Sequence, residues 1–494
     1  MSLLREALHT GSFLCIVEFV PKPDTARFAA FAQLMARGHL CGWPLCAAMA
    51  DRVAGPADVP PAEAITRLPG TVPALLHFSG KDRERRDLLA QLETMTAQGL
   101  DQLLLLSGDR AAQHASGQRE VRYLESVPAL EIVRQARPDW LLGAALNPFK
   151  YREEEGGAQY FKAEKKLAAG ADFLTLQLGF DARKHQEAQQ WMQRQAHPVP
   201  LLACVMGLTG NRAALLERVP GVVITPSMRA VLAAEAAISP AYADARSLDR
   251  LALQILGLKL MGYAGIHLSG VHTVEQLVAL EQAIAARQEQ FHDLEQWWNA
   301  WDTSWHVEGV PPVVFSPEDA DWRLGESLVT ASPREQLRYH LLAALHHLLF
   351  SRDTLISRAF GRLLGGRLWR TPWGARWLHR LERSLKRPLV GCDTCGTCRL
   401  EATLYICPET CPKGLANGPC GGTRLNRCEF GDRECIHSIK YRTAKAVGQT
   451  RVLSDRLIPC VALETRHQSS WPRWFDARTE RPAPPAAAPV PREH

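Results

Sequence analysis

Residues 72–109 read VPALLHFSGKDRERRDLLAQLETMTAQGLDQLLLLSGD. VPALLHFS (72–79) is an almost unbroken apolar run. KDRERRDLLAQLETMTAQG (81–99) mixes charges and leucines at helical spacing, and DQLLLLSG (101–108) is apolar again. A run apolar on both faces fits a strand buried in a parallel sheet, and a helix between two such runs is the crossover that parallel pairing requires. Gly99 stands where this helix should end in a left-handed residue, and Gly170 holds the same place after QYFKAEKKLAAG.

The same kind of run recurs on both sides: CIVEFV (15–20), PLCAAMA (44–50), WLLGAAL (140–146), DFLTLQLG (172–179), VPLLACVM (199–206) and YAGIHLSG (263–270). With the first two, they make eight strand candidates spaced mostly about 30 residues apart, the length of a strand–helix unit. Eight units predict an α/β fold, a (β/α)8 TIM barrel over residues 1–290. VVIT (222–225) competes for one of the last strand positions. An open doubly wound sheet is the alternative, although no G-x-G-x-x-G follows the first run.

The chain's 494 residues exceed what one core normally serves, so further domains are expected. With 46% hydrophobic and 22% charged residues, wholesale disorder is excluded. No apolar run approaches the ~18 residues of a membrane span, and MSLLREALHTGSF contains no signal-like apolar core, so a cytoplasmic protein is expected. A net charge of +6 permits an acidic partner without calling for nucleic acid. Residues 291–390 change character and read as a Trp-rich, basic helical connector. Eight of the 13 tryptophans lie between Trp297 and Trp377, and Leu337, Leu341, Leu345 and Leu348 mark an amphipathic helix over 334–350. From Arg362 to Arg387 there are eight Lys/Arg and a single acid, Glu382. The plain reading is a solvated basic face; the sharper ones are docking of an acidic redox protein or contact with an anionic surface. Residues 391–445 form a small Cys-rich domain, and 446–494 an extension expected to be disordered from about 479, where it turns Pro/Ala-rich.

A barrel works at the C-terminal ends of its strands, so polar residues late in the apolar runs are the candidates. They are Glu18 in the first run, His77 in the third, Ser107-Gly108-Asp109 after the fourth, Asn147 after the fifth and Gln177 in the sixth. A carboxyl inside an apolar strand is costly to bury while charged and suits proton donation. Taken singly, each has a structural reading: a paired acid, a core histidine, a helix cap, a strand-end hydrogen bond. Convergence on one rim is what favours a site.

Eight of the 13 cysteines lie between Cys392 and Cys435, spaced C-x2-C-x2-C-x8-C-P-x2-C-P-x5-G-P-C-G-G before Cys428 and Cys435. With no export signal in view, metal is favoured over disulfides. Cys392, Cys395, Cys398, Cys407, Cys411, Cys420, Cys428 and Cys435 could serve two four-thiolate sites, either iron–sulfur clusters or structural zinc.

IVEFVPKP, HFSGKDRERRDLLAQLETMTAQGLDQLLLLSGD and KKLAAGADFLTLQLGFD resemble, in order, signature segments of the methylenetetrahydrofolate reductase family. The resemblance covers roughly residues 1–285. Differences are local: Ser107-Gly108-Asp109 replaces an R-G-D-like turn, Leu176 separates Thr175 from Gln177, and AAMADRVAG matches only loosely. The resemblance implies a flavin-binding barrel, with FAD (or FMN) as cofactor and methylenetetrahydrofolate as substrate. It implies Glu18 as general acid, Asp109 beside the flavin and pterin, and Gln177 as a folate contact. His77, Gly108, Asp109, Asn147 and Lys166 would lie along the flavin. CPETCPKGLANGPCGG resembles the C-terminal module of some members, linked there to electron delivery through iron–sulfur centres. NAD(P)H is one expected reductant; the basic 362–387 stretch adjoining the cysteines, with the loosely matching AAMADRVAG, suggests instead an acidic electron carrier such as ferredoxin docking there, and a homo-oligomer is compatible. The alternative function is a catalytically silent folate- and flavin-binding scaffold whose zinc module binds a partner.

Overall fold

The computed structural model describes residues 3–53, 58–70, 72–109, 123–317, 320–351 and 354–480. The tail expected to be disordered lies, from residue 481, outside the described residues. The chain packs into two compact units that do not follow chain order. Residues 1–330 and 412–458 form one; residues 331–411 and 459–494 form the other.

The first unit is built on eight parallel strands. They are β1 (Leu14–Phe19), β2 (Trp43–Met49), β3 (Ala74–Ser79), β4 (Gln102–Leu106), β5 (Leu141–Leu146), β6 (Phe173–Leu176), β7 (Leu201–Val205) and β8 (Gly265–Leu268). Each pairs with the next, and β1 pairs with both β2 and β8, closing the expected barrel. A two-residue strand, His39–Leu40, adds an antiparallel pairing at the start of β2. VVIT takes no strand position: Val222–Ile224 are buried outside any strand, and Thr225 caps the following helix with its hydroxyl on the Met228 N–H.

The period of two along each strand sorts the side chains. Leu14, Ile16, Cys46, Ala48, Leu75, Leu104, Leu141, Phe173 and Leu202 pack inside the barrel, where α1 (Leu3–Thr10) adds Leu4 and Ala7. Their neighbours Cys15, Val17, Phe19, Leu45, Ala47, Leu76, Phe78, Leu103 and Leu105 face the surrounding helices. Gly143 is part of this packing, since a Cβ there would lie 2.2 Å from the Phe173 ring. On β1 the inner layer takes Leu14 and Ile16, the first and third of six residues. The next inward position on β1, Glu18, therefore falls near the C-terminal mouth.

The surrounding helices are α2 (Thr25–Met35), α3 (Pro61–Thr66), α4 (Arg85–Ala97), α5 (Ser126–Ala136), α6 (Glu153–Ala168), α7 (Ala182–Gln193), α8 (Gly210–Leu216), α9 (Pro226–Ile238), α10 (Pro240–Leu260) and α11 (Val274–Gln288). Gly99 and Gly170 adopt φ of +69° and +97° at helix ends, as expected. The Trp-rich stretch begins with α12 (Leu294–Ser304), whose Trp297 and Trp301 are buried; Trp297 donates its indole N–H to the Leu253 carbonyl of α10 at 2.7 Å.

In the second unit, α13 (Pro333–Phe350) starts with a reciprocal Ser332–Glu335 capping box. It is followed by α14 (Leu355–Leu364), α15 (Arg367–Arg370) and α16 (Pro372–Val390), which ends on left-handed Gly391. α17 (Ile436–Ala446) belongs to the first unit and packs on α6, whereas α18 (Trp471–Glu480) returns to the second. There Leu364, Leu378 and Trp471 form a small core with Phe350, Phe360, Trp369 and Phe475. Among the described residues no helix is long and apolar enough to cross a membrane.

Candidate active site

Glu18 is the fifth residue of β1, half-buried. Ser269, just past β8, donates its hydroxyl to Glu18 Oε2 at 2.5 Å. β8 also turns His267 inward, and its ring lies 5.5 Å from that of His77 on β3. Both histidines are buried, at 5% exposure for His77 and 3% for His267. Burial, with His267 adding to it, pushes His77 down to about 3, so the ring is neutral at physiological pH. Burial lowers His267 too, against the opposing pull of Glu18. Cys204 of β7, paired in register with His267, is raised by burial and by Glu18. His77 Nε2, His267 Nδ1 and Thr175 Oγ1 are buried without a hydrogen-bond partner. Buried polar atoms of this kind normally find partners, so their clustering inside the barrel fits a polar ligand.

The rim supplies the remaining groups. Gln177 follows β6 and is half-buried; its Nε2 lies 3.4 Å from the Pro220 carbonyl, and its Oε1 accepts the Leu178 N–H. Gly108 sits at φ +85°, and a Cβ there would approach Ser79 Oγ to 2.5 Å and Lys81 Cβ to 2.7 Å, so the Ser-Gly-Asp turn admits no larger residue without strain. Asp109 keeps solvent contact. The protein packed around its carboxyl raises it, Glu429 adds to the rise, and Lys413 and Lys81 oppose it.

The segment 412–458 is built onto this rim. Lys413 donates to the Gly108 carbonyl at 2.8 Å and to Glu429 at 2.5 Å. Asn147 is 3% exposed and donates to the carbonyls of Gly221 (3.0 Å) and Gly421 (2.8 Å). Lys150 donates to the Gly421 and Thr423 carbonyls. On the α5–α6 side, Glu125 and Lys162 form a buried 2.9 Å ion pair; Glu125 accepts the Ala416 and Asn417 N–H groups while Lys162 donates to the Gly418 and Pro419 carbonyls. Lys166, one turn further on, is buried with its ammonium on the Ala145 carbonyl; burial, aided by Lys162, brings it down to about 7.

The structure thus puts Glu18 and His77 inside the barrel mouth, and Asp109, Asn147 and Gln177 at the ends of β4, β5 and β6. The amide of Asn147 is taken up by backbone carbonyls, and the ammonium of Lys166 by the strand beside it. His267, Ser269, Thr175, Lys413 and Glu429 were not singled out from sequence. The alternation in GIHLS (265–269) could have revealed His267 and Ser269, because every second residue faces inward. Nothing in the sequence links Lys413 to Gly108.

The cysteines divide between the units. Cys392, Cys395, Cys398 and Cys407 line one small pocket in the second unit, together with Lys386 and Glu382. Lys386 donates to Glu382 at 2.6 Å, Ser470 at 3.3 Å and Cys398 Sγ at 3.6 Å. Burial pulls its ammonium down, but Cys398 and Glu382 outweigh burial and keep it charged. Burial pushes the Cys392 thiol up to about 11 and that of Cys407 to about 12. Cys411 belongs to the same unit, whereas Cys420, Cys428 and Cys435 belong to the first. Among the described residues no group of three or more His, Cys, Asp or Glu side chains is disposed to hold a metal ion.

Comparison with known proteins gives two family matches. A family model described as "Methylenetetrahydrofolate reductase" matches residues 3–272, and one described as "Methylene-tetrahydrofolate reductase C terminal" matches residues 374–463. No curated protein matches the chain. Among solved structures, the chain is similar to 2,3-dimethylmalate lyase, a member of the PEP mutase/isocitrate lyase superfamily, at 17% identity and a TM-score of 0.33, covering 58% of this chain and 83% of that one.

Proposed function

The chain belongs to the methylenetetrahydrofolate reductase family and is an oxidoreductase of that activity; from this premise we propose that it reduces 5,10-methylenetetrahydrofolate to 5-methyltetrahydrofolate in a flavin-dependent reaction. The observation that carries the reading is Glu18, held by Ser269 at the inner mouth of a barrel whose inward-facing His77, His267 and Thr175 carry buried polar atoms without a partner. A flavin, FAD or FMN, would be held along His77, Thr175, Gly108 and Asp109, and when bound supplies the hydride. Asn147 and Lys166 would shape the wall of that site through the backbone carbonyls they hold.

The proton is the part the protein supplies. Glu18 donates it to N10 of the folate, the bond from N10 to the bridging methylene breaks, and N5 carries the methylene as an iminium. Hydride addition to that carbon completes the methyl group. Ser269 fixes the Glu18 carboxyl so that the proton points into the mouth. Asp109 lies at the rim, where its carboxylate would favour the positive charge developing on N5. Gln177 offers an amide to the pterin. Neutral His77 and His267 provide hydrogen bonds without adding positive charge that would compete with the iminium.

We further read the cysteine-rich segment as an iron–sulfur module, with Cys392, Cys395, Cys398 and Cys407 as one ligand set and Cys420, Cys428 and Cys435 contributing to another, and with Cys411 available in the second unit. The C-x2-C-x2-C spacing followed by Cys407-Pro408, with these four thiols lining one pocket, is what supports this reading. Such clusters transfer single electrons, which suits a carrier such as ferredoxin as donor beside NAD(P)H.

The test is anaerobic purification followed by flavin, iron and acid-labile sulfide analysis, with methyltetrahydrofolate formation assayed from chemically reduced enzyme. Flavin together with product formation that Glu18→Gln abolishes supports the reductase reading; a flavin-bound enzyme whose turnover ignores Glu18→Gln overturns it. Zinc without sulfide overturns the cluster assignment alone. Full-rate NADH oxidation after all eight cysteines of 392–435 are changed to serine removes the module from electron delivery.

A further inference from the structure

The helices of the second unit turn a large apolar surface to solvent. On α16, Trp373, Trp377, Leu381, Leu385 and Leu389 recur every fourth residue and are 60%, 49%, 36%, 52% and 54% exposed. The buried residues of the same helix, Gly374, Leu378, Glu382 and Val390, form the neighbouring stripe. On the other flank stand Arg376, Arg380, Arg383 and Arg387, all exposed. α14 repeats the arrangement. Leu364 is buried, Leu355, Ile356 and Leu363 are exposed, and Arg358 and Arg362 flank them. Both helices turn their buried side into the core around Trp471, so the apolar stripes are left over after folding.

We propose that α14 and α16 lie flat on an anionic lipid surface, holding the enzyme peripherally at a membrane. Charge chooses the occupant. Between Leu355 and Val390 the single acid is Glu382, and it is buried in its pair with Lys386, so the exposed face carries cationic groups alone. A second copy of this face would bring arginines against arginines across a two-fold contact. An acidic protein answers the arginines, but Trp and Leu protruding from a helix flank need an apolar medium as well. A bilayer interface offers both: the apolar stripe enters at the level of the headgroups, where indoles are favoured, while the guanidiniums reach the phosphates. A helix of this kind rests on the bilayer without crossing it. Of the two sharper readings of this stretch, an acidic carrier and an anionic surface, the exposed apolar stripe favours the surface.

Vesicle flotation of the full-length, anaerobically prepared protein tests this. Vesicles of equal parts phosphatidylcholine and phosphatidylglycerol are compared with phosphatidylcholine alone. Flotation with the anionic vesicles only, weakened by salt, is expected. Two double variants are compared with the parent: Arg376→Gln with Arg380→Gln, and Trp373→Ser with Trp377→Ser. All four side chains are exposed, and each pair should lower vesicle affinity about tenfold or more. The proposal is overturned if the protein stays unbound to anionic vesicles, binds neutral ones equally, or floats undiminished in both variants. Loss of binding to an acidic ferredoxin, or of a dimer in sedimentation, by a protein that never floats would reassign the face to that partner.

Discussion

At the level of single residues, the proposed site rests on the Glu18 carboxyl and the hydroxyl that Ser269 donates to it. Glu18→Gln should slow folate reduction by about 10²- to 10⁴-fold, the usual contribution of a positioned acid, while flavin affinity stays within about twofold. Ser269→Ala removes the hydrogen bond that orients the acid without removing the acid. Its turnover should fall about tenfold, the pH profile of kcat should move, and Ser269→Thr should restore both; an unchanged profile would make Ser269 merely structural. His77 is driven so far down by burial that it remains neutral from pH 5 upward. Its imidazole NMR signals should therefore stay constant between pH 5 and 8, and a midpoint within that window would contradict the buried geometry. Glu18, His77, Asp109 and Gln177 could be proposed from sequence because each is a polar residue in or just after an apolar run. Ser269 and Lys413 were not, since a hydroxyl or an ammonium in a loop carries no mark of what it will meet.

At the level of elements, α16 combines an outward apolar stripe with an inward ion pair. Glu382 is 2% exposed, pairs with Lys386 and accepts hydrogen bonds from Ser469 and Ser470. Burial alone would raise its carboxyl, but Lys386 and the two serines more than offset this and hold it below its ordinary value of 4.5. A depressed folded-state value means that the carboxylate stabilises the second unit above the unfolded value near 4.5, and that this contribution is lost as pH falls through the lower, folded value. Glu382→Ala should destabilise the unit by about 3 kcal/mol, chiefly by stranding Lys386, and should flatten the acid limb of its unfolding curve. The leucines of α13 give the opposite lesson. Their spacing predicted a helix and a helix forms, yet Leu337, Leu341 and Leu345 are 60%, 62% and 45% exposed. Periodicity fixes which residues share a face, not what that face meets.

At the level of the molecule, the cysteine-rich segment is divided: residues 412–458 pack with the barrel, while 392–411 pack with the helices. The buried pair Glu125–Lys162 is central to the first of these attachments, because both partners also bond the backbone of 416–419. Burial opposes the Glu125 charge, but Lys162 and the backbone N–H groups overcome it and lower the carboxyl. Glu125→Gln leaves Lys162 buried without its counter-charge, and the cost should be about 3–5 kcal/mol. Hydrogen exchange should show faster exchange at 415–420 with β1–β8 still protected; uniform protection in the variant would show that the segment is held by other means.

The barrel was determined by the sequence alone. Eight apolar runs separated by amphipathic helices call for a parallel sheet covered on both faces, their number favours the barrel over an open doubly wound sheet, and alternation along β1 then sends Glu18 inward. Local spacing encodes such features because each repeats a pattern within a few residues. Tertiary structure alone decided which orphaned atoms share the mouth with Glu18, which half of the cysteines joins the barrel, and which apolar stripe stays in solvent. These depend on contacts between residues up to 305 positions apart, as between Lys413 and Gly108. A pairing over that distance is selected by the energy of the whole packed chain, and no short window of sequence contains it.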